Sequence, residues 1–364
     1  MAELPDQCVE LVVTSPPYPM IALWDSVFAA QNPRIAAALA QKNGREAFEL
    51  MHQELDKVWN EVFRVLKKGG LACINVGDAT RTIGERFTLY PNHSRVHAHM
   101  HQLGFSALPT ILWRKQTNAP NKFMGSGMMP PGAYVTLEHE YILIFRKGGK
   151  RFFKADQEKA RRRESAYFWE ERNAWFSDVW MDLKGTPQDL FDSRTRNRSA
   201  AFPLELPYRL ISMFSMKGDT VLDPFLGIGS TMVAAMATGR NSVGYEIDTD
   251  LCKAVTSKLT EAKAYANGRS RNRLEAHLIF VEERLAQKGR FKHINRHYQF
   301  PVVTGQERDL LINDVNTIQL REENTFHVLY DDQPQDAFIG DWKDTIQTAA
   351  ARVRAEKSAQ KSLF

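Results

Sequence analysis

Two consecutive prolines, Pro16 and Pro17, close the apolar run Val9-Glu10-Leu11-Val12-Val13, and no other stretch restricts the fold as tightly. Neither proline carries a backbone N–H, and the residue before a proline is pushed out of the helical region. The run therefore reads as a short buried strand, Val9 to Thr14, that ends at Ser15 and leaves as a stiff, extended segment. That segment, Ser15-Pro16-Pro17-Tyr18, brings two carbonyl oxygens, a hydroxyl and an aromatic ring to a strand's C-terminal edge, where open α/β sheets hold their ligands. A planar group bearing an NH2 suits it, because the oxygens accept its hydrogens and the ring stacks on its face. The plainer reading is a proline turn beside a core tyrosine.

A second stretch bears on that choice. Asp223-Pro224-Phe225-Leu226-Gly227-Ile228-Gly229-Ser230-Thr231 joins a buried strand, Thr220 to Asp223, to a helix, Ser230 to Ala237. Gly227 and Gly229 remove side chains where a ligand must approach the backbone. The turn has neither the lysine and spacing of a phosphate loop nor the GxGxxG dinucleotide pattern. Asp223 instead offers a carboxylate to a cationic group such as an amino acid's ammonium. Glu246, at the end of the next strand (Asn241 to Glu246), can accept both hydroxyls of a ribose. Ammonium plus ribose without phosphate describes S-adenosylmethionine better than NAD or ATP.

The 364 residues, 43% of them hydrophobic, suffice for one large α/β domain with additions. No run approaches a membrane span and no secretion signal opens the chain, so a cytoplasmic protein without a membrane partner is expected. Cys8, Cys73 and Cys252 are widely spaced and form neither a disulfide framework nor a metal site. The spacing predicts a loop with exposed aromatics over Pro19 to Phe28 and a short helix over Ile35 to Ala40. A long amphipathic helix over Arg45 to Lys67 follows, favoured at its end by Lys67 and Lys68 and stopped by Gly69-Gly70. A strand over Leu71 to Val76 completes a strand–helix–strand crossover, the mark of a parallel sheet. A helix (His93 to Leu103), a strand (Phe105 to Trp113), a long loop of the length that is functional or mobile (Gln116 to Gly132) and a strand (Glu140 to Phe145) come next. Residues 147–198 hold 13 Lys/Arg against 9 Asp/Glu, with Phe168, Trp169, Trp175, Phe176 and Trp180 interleaved. That mixture suits a phosphate backbone and unstacked bases, with Arg161, Arg162, Arg163, Arg194 and Arg196 as candidate nucleic-acid contacts; the alternative is a solvated helix packing its aromatics inward. Pro207 to Met216 reads as a helix, Thr249 to Ala264 and Arg269 to Gly289 as two more, Phe300 to Thr304 as a further sheet strand, Asn316 to Tyr330 as a hairpin and Ala349 to Phe364 as a terminal helix.

Together the two motifs resemble the amino-methylating DNA methyltransferases. In that family a (Ser/Asn/Asp)-Pro-Pro-(Tyr/Phe) tetrapeptide holds the target base and an Asp-Pro-Phe-x-Gly-x-Gly turn holds S-adenosylmethionine. Ser15 to Tyr18 and Asp223 to Gly229 match them, in the permuted order of the β class, base motif first. Ala201-Phe202-Pro203-Leu204-Glu205-Leu206-Pro207 resembles the family's cofactor-closing segment, and Leu66 to Gly70 and Asn75 to Asp78 resemble further landmarks. The resemblance implies a Rossmann-like, S-adenosylmethionine-dependent methyltransferase fold with a mixed, mainly parallel, circularly permuted sheet, a target-recognition insert and a C-terminal extension. Residues 1–146 would form the catalytic half, 147–198 the recognition region, 199–305 the cofactor half and 306–364 the extension.

The implied catalytic set is Ser15, Pro16, Pro17 and Tyr18. The implied cofactor set is Phe202, Pro203, Asp223, Pro224, Phe225, Gly227, Gly229, Ser230, Thr231 and Glu246, with no metal. Methyl transfer to an exocyclic amine needs acceptors for the amine hydrogens, here the Pro16 carbonyl and Ser15, and a base flipped out of the duplex. Carbon-5 cytosine chemistry needs a Pro-Cys nucleophile that the chain lacks. Serine in the first motif position implies cytosine N4, with adenine N6 as the alternative. A protein or RNA methyltransferase places the two motifs in the opposite order, and a non-catalytic DNA-binding protein would not need both intact. The implied partners are double-stranded DNA and a cognate restriction endonuclease, in a bacterial or phage setting.

Overall fold

The computed structural model describes residues 1–115, 125–183, 202–288, 290–322, 324–339 and 342. In chain order they form β1 (Val9–Thr14), α1 (Asp25–Gln31), α2 (Pro33–Ala40), α3 (Gly44–Val65), β2 (Leu66–Val76), the hairpin strands β3 (Ala79–Ile83) and β4 (Arg86–Tyr90), α4 (Asn92–Gln102), β5 (Phe105–Arg114) and β6 (His139–Lys147). Next come α5 (Asp156–Glu164), α6 (Trp169–Trp175), β7 (Val179–Trp180), α7 (Glu205–Phe214), β8 (Thr220–Asp223), α8 (Ser230–Ala237), β9 (Asn241–Gly244) and α9 (Thr249–Lys288). Two antiparallel pairs follow, β10 (His293–Ile294) with β11 (Pro301–Val302) and β12 (Val315–Glu322) with β13 (Thr325–Tyr330).

One seven-stranded sheet runs in the order β7-β5-β6-β2-β1-β8-β9. Strand β1 pairs in parallel with both β2 and β8, β8 with β9 and β5 with β7, while β6 runs antiparallel to β2 and β5. The sheet is thus mixed and mainly parallel, as expected. Strand β1 lies inside it, between β2 and β8, and its alternate residues are buried on opposite faces. Val12 packs in one core with Met51, Leu55, Trp59 and Val62 of α3. Leu11 and Val13 pack in another with Leu210 and Ile211 of α7 and Ala234 and Ala235 of α8. The crossover through α3 carries the chain from β1 to one side, and that through α8 carries it from β8 to the other. Thr14 and Asp223 therefore end neighbouring strands at a topological switch point, where such sheets bind ligands.

Several expectations are corrected. Residues 19–28 are not a loop with exposed aromatics: Ala22–Trp24 is a 3-10 turn, α1 follows, and Met20 and Phe28 are buried. Helix α3 stops at Val65, so Lys67, Lys68, Gly69 and Gly70 lie in β2. Between Val9↔Leu66 and Leu11↔Leu71 the pairing register shifts, and Gly69 takes up the irregularity at φ +84°. Residues 249–288 form one 40-residue helix where two were expected. Pro301–Val302 pairs with His293–Ile294 outside the main sheet, so it is not the further sheet strand expected over Phe300 to Thr304. The hairpin of β12 and β13 is as expected. The terminal helix expected over 349–364 lies outside the described residues.

Candidate active site

The proline pair does what its chemistry dictates: β1 ends at Thr14 and the chain leaves the sheet. Tyr18 turns back so that its hydroxyl lies 3.0 Å from Ser15 Oγ and donates to Glu140 Oε2 at 3.0 Å. Asn75, at the end of β2, donates from Nδ2 to the Tyr18 hydroxyl at 2.9 Å and to Glu140 Oε2 at 2.7 Å. Lys115 donates to the other Glu140 oxygen at 3.0 Å. Burial and the facing carboxylate push the Tyr18 phenol well above its ordinary range. Gly77 lets the ring approach the backbone closely, since a Cβ there would stand 3.0 Å from Tyr18 Cε2.

Asp223 is 2% exposed and braces the turn from below. Its Oδ1 accepts from Thr14 Oγ1 at 2.6 Å and from the Phe225 N–H at 3.1 Å, and its Oδ2 accepts from Thr231 Oγ1 at 2.7 Å. Burial pushes its carboxyl up to about 6 despite these bonds. Gly227 and Gly229 adopt φ +55° and +78°, which the turn into α8 requires. Strand β9 ends at Gly244, so Glu246 lies two residues past the strand end where it was expected; it accepts from the Gly227 N–H at 2.7 Å and the Asp248 N–H at 2.9 Å, tying the glycine turn to the segment after β9. Behind it Gly244 leaves room for the Leu226 side chain, since a Cβ would stand 2.6 Å from Leu226 Cδ1 and the leucine would have to move.

These two sets face one cavity of about 860 Å³. Ser15, Pro16, Pro17, Tyr18, Phe202, Asp223, Pro224, Phe225, Gly227, Ser230 and Glu246 all line it. Pro203, Gly229 and Thr231 do not: Pro203 starts the turn into α7, Gly229 caps α8, and Thr231 is buried against Asp223.

The arginine triplet does not join the site. Arg161 lies beside Gly218, just before β8, Arg162 sits over the Phe153 ring and Arg163 pairs with Asp309 at 3.0 Å. Ser165 accepts from the Lys217 N–H at 2.8 Å, which fixes α5 at the N-terminal edge of the sheet, opposite the cavity. Phe168, Trp175 and Trp180 are buried in the cores, so they offer no face to a base. The inward-packing alternative holds for them. Arg194 and Arg196 lie outside the described residues.

Sequence reasoning did not assign Asn75, Lys115, Glu140 or Thr14 to the site. Asn75 does carry a signal, a lone polar residue near the end of an apolar strand, whereas Glu140 follows Glu138 and His139 and stands out from neither. Their convergence on Tyr18 depends on β6 being antiparallel to β2, which no local pattern states.

The family model described as DNA methylase, of the N6/N4 type, matches residues 9–257. The type II methyltransferase M.MthZI of Methanothermobacter thermautotrophicus is 50% identical over 331 residues, covering 91% of this chain and 92% of that protein. M.MjaI of Methanocaldococcus jannaschii, also a type II methyltransferase, is 50% identical over 270 residues, 71% of this chain and 88% of its own length. Among solved structures, a DNA modification methylase of Thermus thermophilus in complex with S-adenosyl-L-methionine, TTHA0409, aligns with a TM-score of 0.56 at 33% identity, covering 72% of this chain and 90% of that one.

Proposed function

The chain belongs to the N6/N4 DNA methylase family, and on that premise we propose that it methylates the N4 amine of a cytosine extruded from duplex DNA, with adenine N6 as the alternative target. It is an S-adenosylmethionine-dependent DNA methyltransferase of the type II kind. The observation that carries the reading is the single cavity shared by Ser15–Tyr18 and the Asp223–Glu246 rim.

The residues fit the cofactor. The cavity volume lies within the range of ligand sites. Each Glu246 oxygen accepts one backbone N–H and keeps lone pairs for a ribose hydroxyl. Asp223 has its oxygens committed to protein donors, so its contribution to an ammonium is charge more than a fresh hydrogen bond. An ammonium beside it favours the ionised form, and the ionised form favours the ammonium. Since the carboxyl of the free protein titrates at about 6, affinity is present above that pH and is lost as pH falls through it. Calorimetry from pH 8 to pH 5 is expected to show cofactor binding weakening below about pH 6. A flat profile would remove Asp223 from ammonium recognition.

S-adenosylmethionine brings a methyl group already activated on a sulfonium. What the chain adds is geometry and acceptors. The Pro16 carbonyl and Ser15 Oγ accept the amine hydrogens, which lets the nitrogen become more pyramidal and nucleophilic, and Tyr18 stacks on the base. The target atom is inaccessible in a duplex, so the base is flipped into the cavity. Met128, Met129 and Val135 are exposed on a segment that stacks Tyr134 on Phe87 of the β3–β4 hairpin. Apolar side chains there suit the step that an extruded base leaves open. A cognate restriction endonuclease acting on the same site is the expected companion.

Digestion of DNA methylated by the purified protein, followed by mass spectrometry of the nucleosides, tests the assignment. N4-methylcytosine is expected. N6-methyladenine alone would overturn the choice of base, and no methylated nucleoside would overturn the reading.

A further inference from the structure

Counting hydrogens around Tyr18 assigns a role to a residue outside both motifs. The phenol has one hydrogen to give and two lone pairs. Three side-chain atoms lie within hydrogen-bond distance of it, Ser15 Oγ at 3.0 Å, Glu140 Oε2 at 3.0 Å and Asn75 Nδ2 at 2.9 Å, and the Gly77 backbone N–H also faces the phenol oxygen. The Asn75 amide must direct its nitrogen this way, because the same atom lies 2.7 Å from the Glu140 carboxylate and an oxygen there would face an anion. The carboxylate can only accept, so it takes the phenol hydrogen. The hydrogen between Ser15 and Tyr18 must then be the serine's own. With that hydrogen committed, Ser15 Oγ offers lone pairs alone to the cavity.

We propose that Glu140, acting through Tyr18, fixes the Ser15 hydroxyl as an obligate acceptor for the substrate amine, which makes Glu140 a positioning residue for methyl transfer. The inference rests on the reading of Ser15 as an amine acceptor given above. Glu140 is itself held from two elements. Lys115, following β5, donates to Oε1 at 3.0 Å, and Asn75 of β2 donates to Oε2. The side chain is 13% exposed, so water competes poorly for its oxygens. Remove the carboxylate and the phenol hydrogen is free to turn to Ser15. The serine hydrogen would then point into the cavity, donor against donor.

Single-turnover methylation with cofactor and DNA both saturating tests this, with cofactor affinity and thermal midpoint measured on the same proteins. Glu140→Ala and Tyr18→Phe are each expected to slow transfer by about 10- to 100-fold while cofactor affinity stays at the wild-type value. Because both break one chain, the double variant should be no slower than the slower single variant. Losses that multiply would overturn the proposal, as would a wild-type rate in either variant. If Glu140→Ala fails to fold, Tyr18→Phe still decides, since it keeps the ring and leaves Glu140 paired with Asn75 and Lys115. A wild-type protein that methylates no DNA sinks the functional reading; an active one whose variants lose nothing sinks only the role of Glu140.

Discussion

Asp223→Ala is expected to destabilise the fold by roughly 2–5 kcal/mol, a large share of what an ordinary domain has to lose. The carboxylate is the common acceptor for Thr14 Oγ1, the Phe225 N–H and Thr231 Oγ1, and it joins β1 to β8 at the point where both strands end. Thr231 keeps a long contact to the Val13 carbonyl at 3.4 Å, so the Thr14 hydroxyl and the Phe225 N–H carry most of the loss. Asp223→Asn separates shape from charge. Its amide oxygen can still serve Thr14 and Phe225, so stability should stay near the wild-type value, while cofactor affinity falls with the lost charge. Urea unfolding and calorimetry on the two variants check both halves. An alanine variant as stable as wild type would show that Asp223 braces nothing.

The second large effect is expected at the other end of the cofactor rim. Glu246→Ala should weaken cofactor binding by about 100-fold or more, since charge-assisted hydrogen bonds contribute roughly 1.5–3 kcal/mol each and two ribose hydroxyls lose their acceptor. The glycine turn also loses its tether, because the Gly227 and Asp248 N–H groups both donate to this side chain. Glu246→Gln keeps one acceptor oxygen and should fall in between. Equilibrium binding of the cofactor decides, and an unchanged affinity in the alanine variant would place the ribose elsewhere.

Local chemistry explains which parts of this arrangement could be read from the chain. Pro16-Pro17 forbids ladder hydrogen bonds, so the end of β1 is legible whatever surrounds it. Gly227 and Gly229 likewise mark backbone that no other residue adopts cheaply. The 3.6-residue period locates α3 to within two residues at each end. Its C-terminus is misjudged because Gly69-Gly70 looks like a helix stop and instead serves an irregular strand pairing with β1, a partner 57 to 60 positions away. The same limit hides Glu140. A carboxylate heading an apolar strand looks like a surface residue until β6 is laid antiparallel on β2, which sets it against Asn75 and Tyr18. In residues 147–183 basic and aromatic residues alternate as they would in a nucleic-acid surface. Composition cannot say which way they point: Phe168, Trp175 and Trp180 are buried, while Trp169 and Phe176 stay exposed.

The most direct test is a crystal structure of the protein with S-adenosylhomocysteine and a duplex carrying its methylation site. The expected result is one continuous cavity, with the ribose on Glu246 and an unpaired base against Tyr18, its amino group donating to Ser15 Oγ and the Pro16 carbonyl. A base still stacked in the duplex while the cofactor sits in a pocket that Ser15 to Tyr18 do not line would contradict it.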